Sequence, residues 1–431
     1  METANPPAPT QASAPEKPPA GTISPTARTE RIQVLDILRG FALLGILLVN
    51  MAIFINPVYY VLVARPPVGG VDAAVEWGIR FFAEGKFYSL FSFLFGLGFT
   101  IIMTRAQARG VRFVPLQMRR LLVLLVLGLI HAVLIWVGDI LTYYALLGML
   151  LLLFRNTSPK WLRRWAVIML LLPLLFTVLG TASLELARMS PDGTEIMASI
   201  AEEQATYYAD ATAQAETVYA QGNFLEITRQ RWADAIFMWT VSLFIAPSVF
   251  AMFLLGAWFG KREIFRDLPA HRPLFRRLLI WGGIVGVIGN ALYAMLIMHG
   301  NRNLPDLNML IATVGQTFGA PALMLFYLAA ITLLSQHAVW GPRLAILAPV
   351  GRMALTNYLL QSIICTLIFY GYGLGLFGQV SPTAGLILTL VIYLAQIPWS
   401  HWWLRRYRFG PVEWLWRTLT YGKPQPMRVN P

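Results

Sequence analysis

Residues 34–56 read VLDILRGFALLGILLVNMAIFIN, and the reading of this run decides the fold. Asp36 and Arg39 near its start give way to an apolar stretch without charge. The run has the length, about 20 residues, that a helix needs to cross a hydrocarbon core about 30 Å thick. In lipid a strand or coil leaves peptide groups unpaired, so the run has to be a helix. Blocks of the same kind recur outward along the chain. They predict further helices over about 86–104, 121–138, 140–154, 165–181, 236–260, 278–298, 310–335, 353–372 and 384–404, ten in all. The composition agrees, with 57% hydrophobic and 13% charged residues and a mean hydropathy of +0.59. A soluble chain carries roughly twice that charged fraction. The expected fold class is an all-α, polytopic integral membrane helical bundle.

The net charge of +13 raises the question of nucleic acid. The basic residues, however, fall in short runs between apolar blocks, the pattern that membrane topology produces. One loop holds Arg105, Arg109, Arg112, Arg119 and Arg120; another holds Arg155, Lys160, Arg163 and Arg164. A third holds Lys261, Arg262, Arg266, Arg272, Arg276 and Arg277, and the C-terminal tail adds Arg405, Arg406, Arg408, Arg417, Lys423 and Arg428. Loops on the other side hold few: Arg65 and Arg80, then Arg188, Arg229 and Arg231, then Arg302. Positive loops stay inside, which predicts a multi-pass protein of a bacterial inner membrane with both termini cytoplasmic. A nucleic-acid partner is excluded on this reading, and the lipid bilayer is the first partner.

The domain organisation follows. Residues 1–30, rich in Pro, Ala, Thr and Ser, are expected to be a disordered cytoplasmic tail. No apolar core lies close enough to the start for a cleavable signal peptide, so the first helix is expected to be an uncleaved anchor. Residues 31–181 form an N-terminal membrane half of five helices, 236–404 a C-terminal half of five, and 405–431 a basic cytoplasmic tail. Between the halves, 182–235 is acidic, with Glu202, Glu203, Asp210 and Glu216 among interleaved Tyr207, Tyr208, Tyr219 and Trp232. That spacing predicts amphipathic periplasmic helices on the outer membrane boundary.

Polar side chains inside apolar blocks are costly, about 2.5–3.5 kcal/mol for a charge at a helix centre, and are therefore functional candidates. Asp36 and Arg39 lie one turn apart and can pair; Arg39 is placed to meet a phosphate-bearing ligand, the plainer reading being an ion pair that pins the helix. Gly40 beside them lets another backbone come close. His131 is the histidine deep in a membrane block, and Asp139 falls in the outside turn after it. A carboxylate beside an imidazole is what a general base needs. Eight residues of helix end roughly 80° past two full turns, so the turn has to fold Asp139 back. A hydrogen-bonded structural His is the competing reading. Arg352 opens the block GRMALTNYLLQS, whose Asn357 and Gln361 share a face. Asn290 and Gln316 belong with them; buried amides most often glue helices together. Glu84 and Lys86 stand at the outer mouth of the second helix. The lone Cys365 excludes an intrachain disulfide, and glycines of FYGYGLGLFG form a small-residue contact motif compatible with a homodimer. There is no Gly-Lys-Ser/Thr phosphate loop, zinc pattern or Gly-x-Ser-x-Gly turn, so no metal site or permanently bound cofactor is expected.

RIQVLDILRGFALLGILLVNM, GKFYSLFSFLFGLGF, HAVLIWVGDILTYYALLG, GRMALTNYLLQS and FGPVEWLWRTLTYG together resemble, in order, the signatures of the YeiB-type family of bacterial inner-membrane proteins. The family is named for a C-terminal domain of unknown function, and the likeness runs from about Arg31 to Lys423. More distantly, the Leu-Asp-x-x-Arg-Gly opening is similar to that of transmembrane acyltransferases, the acyltransferase-3 and heparan-α-glucosaminide acetyltransferase groups. That likeness implies transfer of an acyl group from cytoplasmic acyl-CoA to a sugar hydroxyl or amine on the far side, with a His as base. Arg39 matches the opening Arg. Where the acyltransferase-3 group carries its His, this chain has Asn50, as the glucosaminide enzymes also have Asn; His131 is then the intramembrane base. The resulting expectation is a membrane-embedded acyltransferase with His131 and Asp139 catalytic. Asp36, Arg39, Asn50, Lys86, Gln316, Arg352, Asn357 and Gln361 are its substrate-binding candidates. Acyl-CoA is the donor and an envelope glycan or lipid the acceptor. A transporter or flippase for a small polar or lipidic solute, and a scaffold or sensor without chemistry, are the alternatives. No internal repeat of the kind many transporters carry is evident.

Overall fold

The computed structural model describes residues 32–62, 67–299 and 307–429. The expected N-terminal tail, 1–30, and the loop residues Arg65 and Arg302 lie outside the described residues. Fifteen α-helices and no β-strand occur among them. Helix α1, Gln33–Ile55, is followed at Asn56 by extended backbone and then by Pro57, which cannot continue a helix. α2, Gly70–Phe82, was not foreseen; it ends at a bend where Gly85 takes φ +88°, from which α3, Lys86–Ala108, begins. α4 is Phe113–Ile130 and α5 is Leu141–Leu151. α6, Pro159–Arg188, opens on proline at its first turn.

α7, Gly193–Gln221, fills the acidic segment. α8, Phe224–Lys261, starts from a capping box in which Asn223 and Glu226 satisfy each other's backbone N–H. α9 is Arg272–His299 and α10 is Leu307–Ser335. Two short helices, α11 (Trp340–Ala345) and α12 (Ala348–Arg352), lead into α13, Ala354–Phe369. α14, Pro382–Arg406, and α15, Pro411–Tyr421, complete the chain.

Among the described residues eight helical stretches are long and apolar enough to cross a membrane: Gln33–Ile55, Gly70–Ala108, Phe113–Ile135, Pro159–Arg188, Phe224–Lys261, Arg272–Ile297, Leu307–Ser335 and Pro382–Arg406. The other two expected blocks are shorter apolar helices, Leu141–Phe154 and Ala354–Phe369. Exposure supports a lipid environment. α6 runs 30 residues yet buries only Leu162, Ala166 and Thr181, and α9 turns Ile280, Trp281, Ile284 and Ile288 outward. Surfaces of that size and polarity are stable against acyl chains and a liability in water.

The interior is assembled by close backbone approach. α9 and α10 meet where Gly289, Gly315 and Gly319 touch backbone to backbone, the small-residue contact that lets helices associate in lipid. α1 crosses α12 with Gly351 packed on the Asp36 carbonyl and Gly40 on the Leu347 carbonyl, as expected for Gly40. The Tyr393 hydroxyl of α14 donates to the Gly40 carbonyl at 2.7 Å. A core of buried side chains from α1, α3, α8 and α10 fills the arginine-bearing half of the bundle, and a second cluster fills the half toward α7.

Candidate functional site

The two apolar helices that are too short to span are the ones that frame His131. α4 ends in one π-type turn over His131–Ile135, and Trp136 then leaves in extended geometry, φ −157° and ψ 133°. This wide turn reverses the chain, and the Phe54 ring stacks on Trp136 at 4.0 Å to hold it. Asp139 is thereby folded back: His131 Nδ1 lies 2.9 Å from Asp139 Oδ1. Asp139, in the turn between α4 and α5, is 5% exposed and shares a cavity wall with Ile46 and Asn50 from the second half of α1. Irregular backbone of this kind is tolerated within a membrane protein where other helices cover it.

Further contacts fix the carboxylate. The backbone N–H groups of Leu141 and Thr142, which begin α5 and have no helical acceptor, donate to Asp139 at 3.1 and 2.8 Å. With these two N–H groups on the carboxylate, Asp139 accepts from His131 Nδ1 when the imidazole carries its proton there. On the other side of the ring, His131 Nε2 lies 2.9 Å from the Oγ of Ser362 on α13. Ser362 closes the quoted block GRMALTNYLLQS, but nothing in the sequence singled it out. A hydroxyl in an apolar helix commonly bonds its own backbone, and only the fold brings α13 to α4.

Three cavities among the described residues bear on these side chains. The one at the arginine-bearing end measures about 360 Å³ and is lined by Arg39, Arg105, Arg109, Arg120, Arg352 and Arg417, beside the carboxylates Asp36 and Glu413. Deeper in, its wall is Phe91, Leu94, Ile140, Tyr144 and Tyr358. The middle cavity, about 160 Å³, holds Asn50 and Asp139 and shares Ile46 and Ile140 with the first. The third, about 660 Å³, lies toward α7 and shares Val49 and Ile53 with the middle one. It combines Leu48, Val49 and Met309 with Glu76, Arg80, Glu84 and Tyr208. Arg80 bonds Glu76 at 2.5 Å, and the Tyr293 hydroxyl donates to Glu84 at 2.6 Å. An anion-attracting mouth thus leads to an apolar depth, and a carboxylate–imidazole pair stands beyond it.

The remaining candidates divide. Asp36 and Arg39 are paired at 2.7 Å and line the arginine-bearing mouth together with Arg352. Asn50 lines the middle cavity. Lys86 is brought to none of these cavities: it is fully buried, and its Nζ donates to the Arg80 and Glu84 carbonyls at 2.9 and 2.7 Å, tying off the end of α2. Asn357 bonds the Val350 carbonyl and Ser400 at 3.1 and 3.0 Å, and Gln361 bonds Gln396 at 2.8 Å. These amides join α12, α13 and α14, the glue reading. Gln316 is half-buried beside Gly85, which lines the middle cavity, but lines none of the three cavities itself.

Glu413 was missed as well. From α15 it accepts from the backbone N–H groups of Leu355 and Thr356 at 2.7 and 3.0 Å and from the Thr356 hydroxyl at 2.5 Å. Burial pushes its carboxyl above the ordinary glutamate value, opposed by these hydrogen bonds. Its signal lay in FGPVEWLWRTLTYG, where a lone acid sits among aromatics.

Comparison with known proteins places the chain. Residues 259–423 match a family model described as a protein of unknown function, DUF418. The chain is 39% identical over 425 residues to the uncharacterized protein YxaH of Bacillus subtilis (strain 168), covering 94% of this chain and 98% of that one. It is 31% identical over 410 residues to an uncharacterized 39.9 kDa protein from the amylase 3′ region of Bacillus acidopullulyticus, covering 95% and 99%. It is 30% identical over 437 residues to the uncharacterized protein YeiB of Escherichia coli (strain K12), covering 92% and 98%. The chain belongs to the YeiB-type, DUF418-containing family of membrane proteins.

Proposed function

We propose that the protein is a membrane-embedded acyltransferase that takes an acyl group from cytoplasmic acyl-CoA and delivers it to a hydroxyl or amine of an envelope glycan or lipid. The observation that carries this reading is the Asp139-oriented imidazole of His131, buried beside the point where the cavity walls meet. The arginine-lined mouth suits the phosphates of CoA, since guanidinium groups bind phosphate bidentately. Its apolar depth suits a pantetheine arm and acyl chain. The larger cavity on the far side, part apolar and part charged, suits an amphiphilic acceptor. His131 supplies the base, a contribution of about 10²–10⁴ in rate. Asp139 holds its tautomer and stabilises the imidazolium.

In this proposal the arginine-rich end faces the cytoplasm of a bacterium, with both termini there and the span being the inner membrane, as positive-inside topology requires. Reporter fusions at the C-terminus and in the α6–α7 loop test the orientation: cytoplasmic signal from the first and periplasmic from the second are expected, and the reverse pattern overturns it. The activity is tested with protein purified in detergent and titrated with acetyl-CoA and longer acyl-CoAs, reading thermal stabilisation and release of CoA thiol. Stabilisation that is lost in Arg39→Ala, with thiol release lost in His131→Ala, is expected. Failure of every acyl-CoA to stabilise the protein or release thiol overturns the reading. The adjoining cavities also suit a second reading, a transporter or flippase; solute counterflow in proteoliposomes, absent for a transferase, supports that instead.

A further inference from the structure

Acyl transfer through His131 leaves the aim of the imidazole to be explained. With the Nδ1 proton given to Asp139, Nε2 carries the lone pair, and it points at Ser362 Oγ 2.9 Å away. His131 and Ser362 are both buried, and the Ser362 oxygen, not an acceptor, is the atom in contact with Nε2 in this arrangement. The Ser362 hydroxyl also has the Tyr358 carbonyl within 3.3 Å, but the imidazole is the nearer and more basic acceptor, and that carbonyl is already within a helix. Asp139, His131 and Ser362 therefore form a chain in which each proton points toward the carboxylate end. The Ser362 oxygen is the atom that such a chain activates. Tyr358, one turn before Ser362 on the same face of α13, is part of the wall at the apolar depth of the arginine-mouthed cavity, while Asp139 is part of the middle cavity's wall. Ser362 thus lies between the place where a thioester would end and the place where an acceptor would arrive.

We propose, resting on the acyl-transfer reading, that Ser362 is the nucleophile and carries the acyl group as an ester between donor and acceptor. In the first half-reaction Ser362 Oγ attacks the thioester carbonyl carbon as His131 Nε2 takes the hydroxyl proton. The C–S bond breaks, and the proton passes from Nε2 to the departing CoA sulfur. In the second, the acceptor hydroxyl or amine attacks the ester carbonyl while its proton moves to Nε2. The ester C–O bond breaks, and Ser362 Oγ takes the proton back. No oxidant, reductant or further reactant is needed. Burial of the serine and imidazole excludes the water that would hydrolyse the ester. Splitting the transfer lets CoA leave by its arginine-lined mouth before the acceptor engages.

The test incubates the full-length protein in detergent with an acyl-CoA and no acceptor, quenches in acid, and reads CoA thiol release together with peptide mass mapping. A burst of thiol near one per chain with one acyl group on the Ser362 peptide is expected. In Ser362→Ala both are lost, a rate change of more than about a hundredfold. Ser362→Cys keeps a nucleophile and is expected to trap the acyl group as a thioester that neutral hydroxylamine removes, which separates lost chemistry from lost folding. Thiol release by wild type and by Ser362→Ala at similar rates, with no acyl group on Ser362, overturns the serine assignment and leaves acyl transfer standing by direct attack. No thiol release from wild type by an acyl-CoA that still stabilises the protein overturns the serine assignment alone, and failure of every acyl-CoA to stabilise the protein overturns both.

Discussion

Replacing Asp139 by Asn keeps the size of the side chain and removes its charge. In the native arrangement Oδ1 faces His131 Nδ1 and the Leu141 N–H, at 2.9 and 3.1 Å, and Oδ2 faces the Thr142 N–H at 2.8 Å. An amide offers one acceptor where the carboxylate offers two. If its oxygen stays on the His131 side, its NH2 confronts the Thr142 N–H and a charge-assisted bond worth about 1.5–3 kcal/mol is lost. If it flips, the NH2 faces Nδ1, the imidazole must present its lone pair there, and the proton moves to Nε2, where it points at Ser362. The first arrangement weakens the start of α5; the second removes the base. Both lose the charge that stabilises imidazolium. CoA thiol release should fall about 10²–10⁴-fold, with thermal stability in detergent lowered by no more than about 3 kcal/mol. The assay is thiol release under saturating acyl-CoA beside a melting curve of the same preparation. A folded Asp139→Asn protein that releases thiol within about threefold of wild type refutes the orienting role.

Other substitutions follow the same logic. Arg39→Ala should weaken acyl-CoA binding about tenfold or more, from loss of a charge-assisted contact of about 1.5 kcal/mol, and leave binding of an uncharged thioester unchanged; titration of both ligands checks it. Gly351→Val forces a side chain against the Asp36 carbonyl and should cost about 1–3 kcal/mol of stability, read from denaturation midpoints. Gln361→Leu breaks the bond to Gln396 and should lower stability by about 0.5–2 kcal/mol with thiol release unaltered, as the glue reading requires. Because burial raises the folded-state value of Glu413, its contribution is present in acid and is lost as pH rises through that value. Melting temperature against pH should therefore flatten in Glu413→Gln above about pH 4.5.

The membrane class and the apolar blocks were readable because hydropathy at the scale of twenty residues is a local property. The break that makes α2 was not, since Gly70–Phe82 mixes Asp72, Glu76 and Arg80 into its turns. The His131–Asp139 pair was readable as residue types at a spacing but not as a contact. Helical geometry predicted the two on different faces, and the π-type turn that unites them is written in no periodicity. Ser362 lies 231 residues from His131, so only packing could join them. Lys86 misled for a physical reason: a charge in an apolar block signals function until two backbone carbonyls absorb it.

The placement of charge along the cavities has an electrical consequence. Six arginines ring one mouth, and farther in the nearest fixed charge is the carboxylate of Asp139, held by amides and an imidazole with no guanidinium in hydrogen-bond contact. A polyanion is drawn to the rim and repelled from the depth, while an uncharged group on a long arm passes between the two without penalty. On the acyl-transfer proposal, the bundle is then a charge-sorting valve: it admits a molecule tail first, keeps its anionic head outside, and releases the head by the way it came.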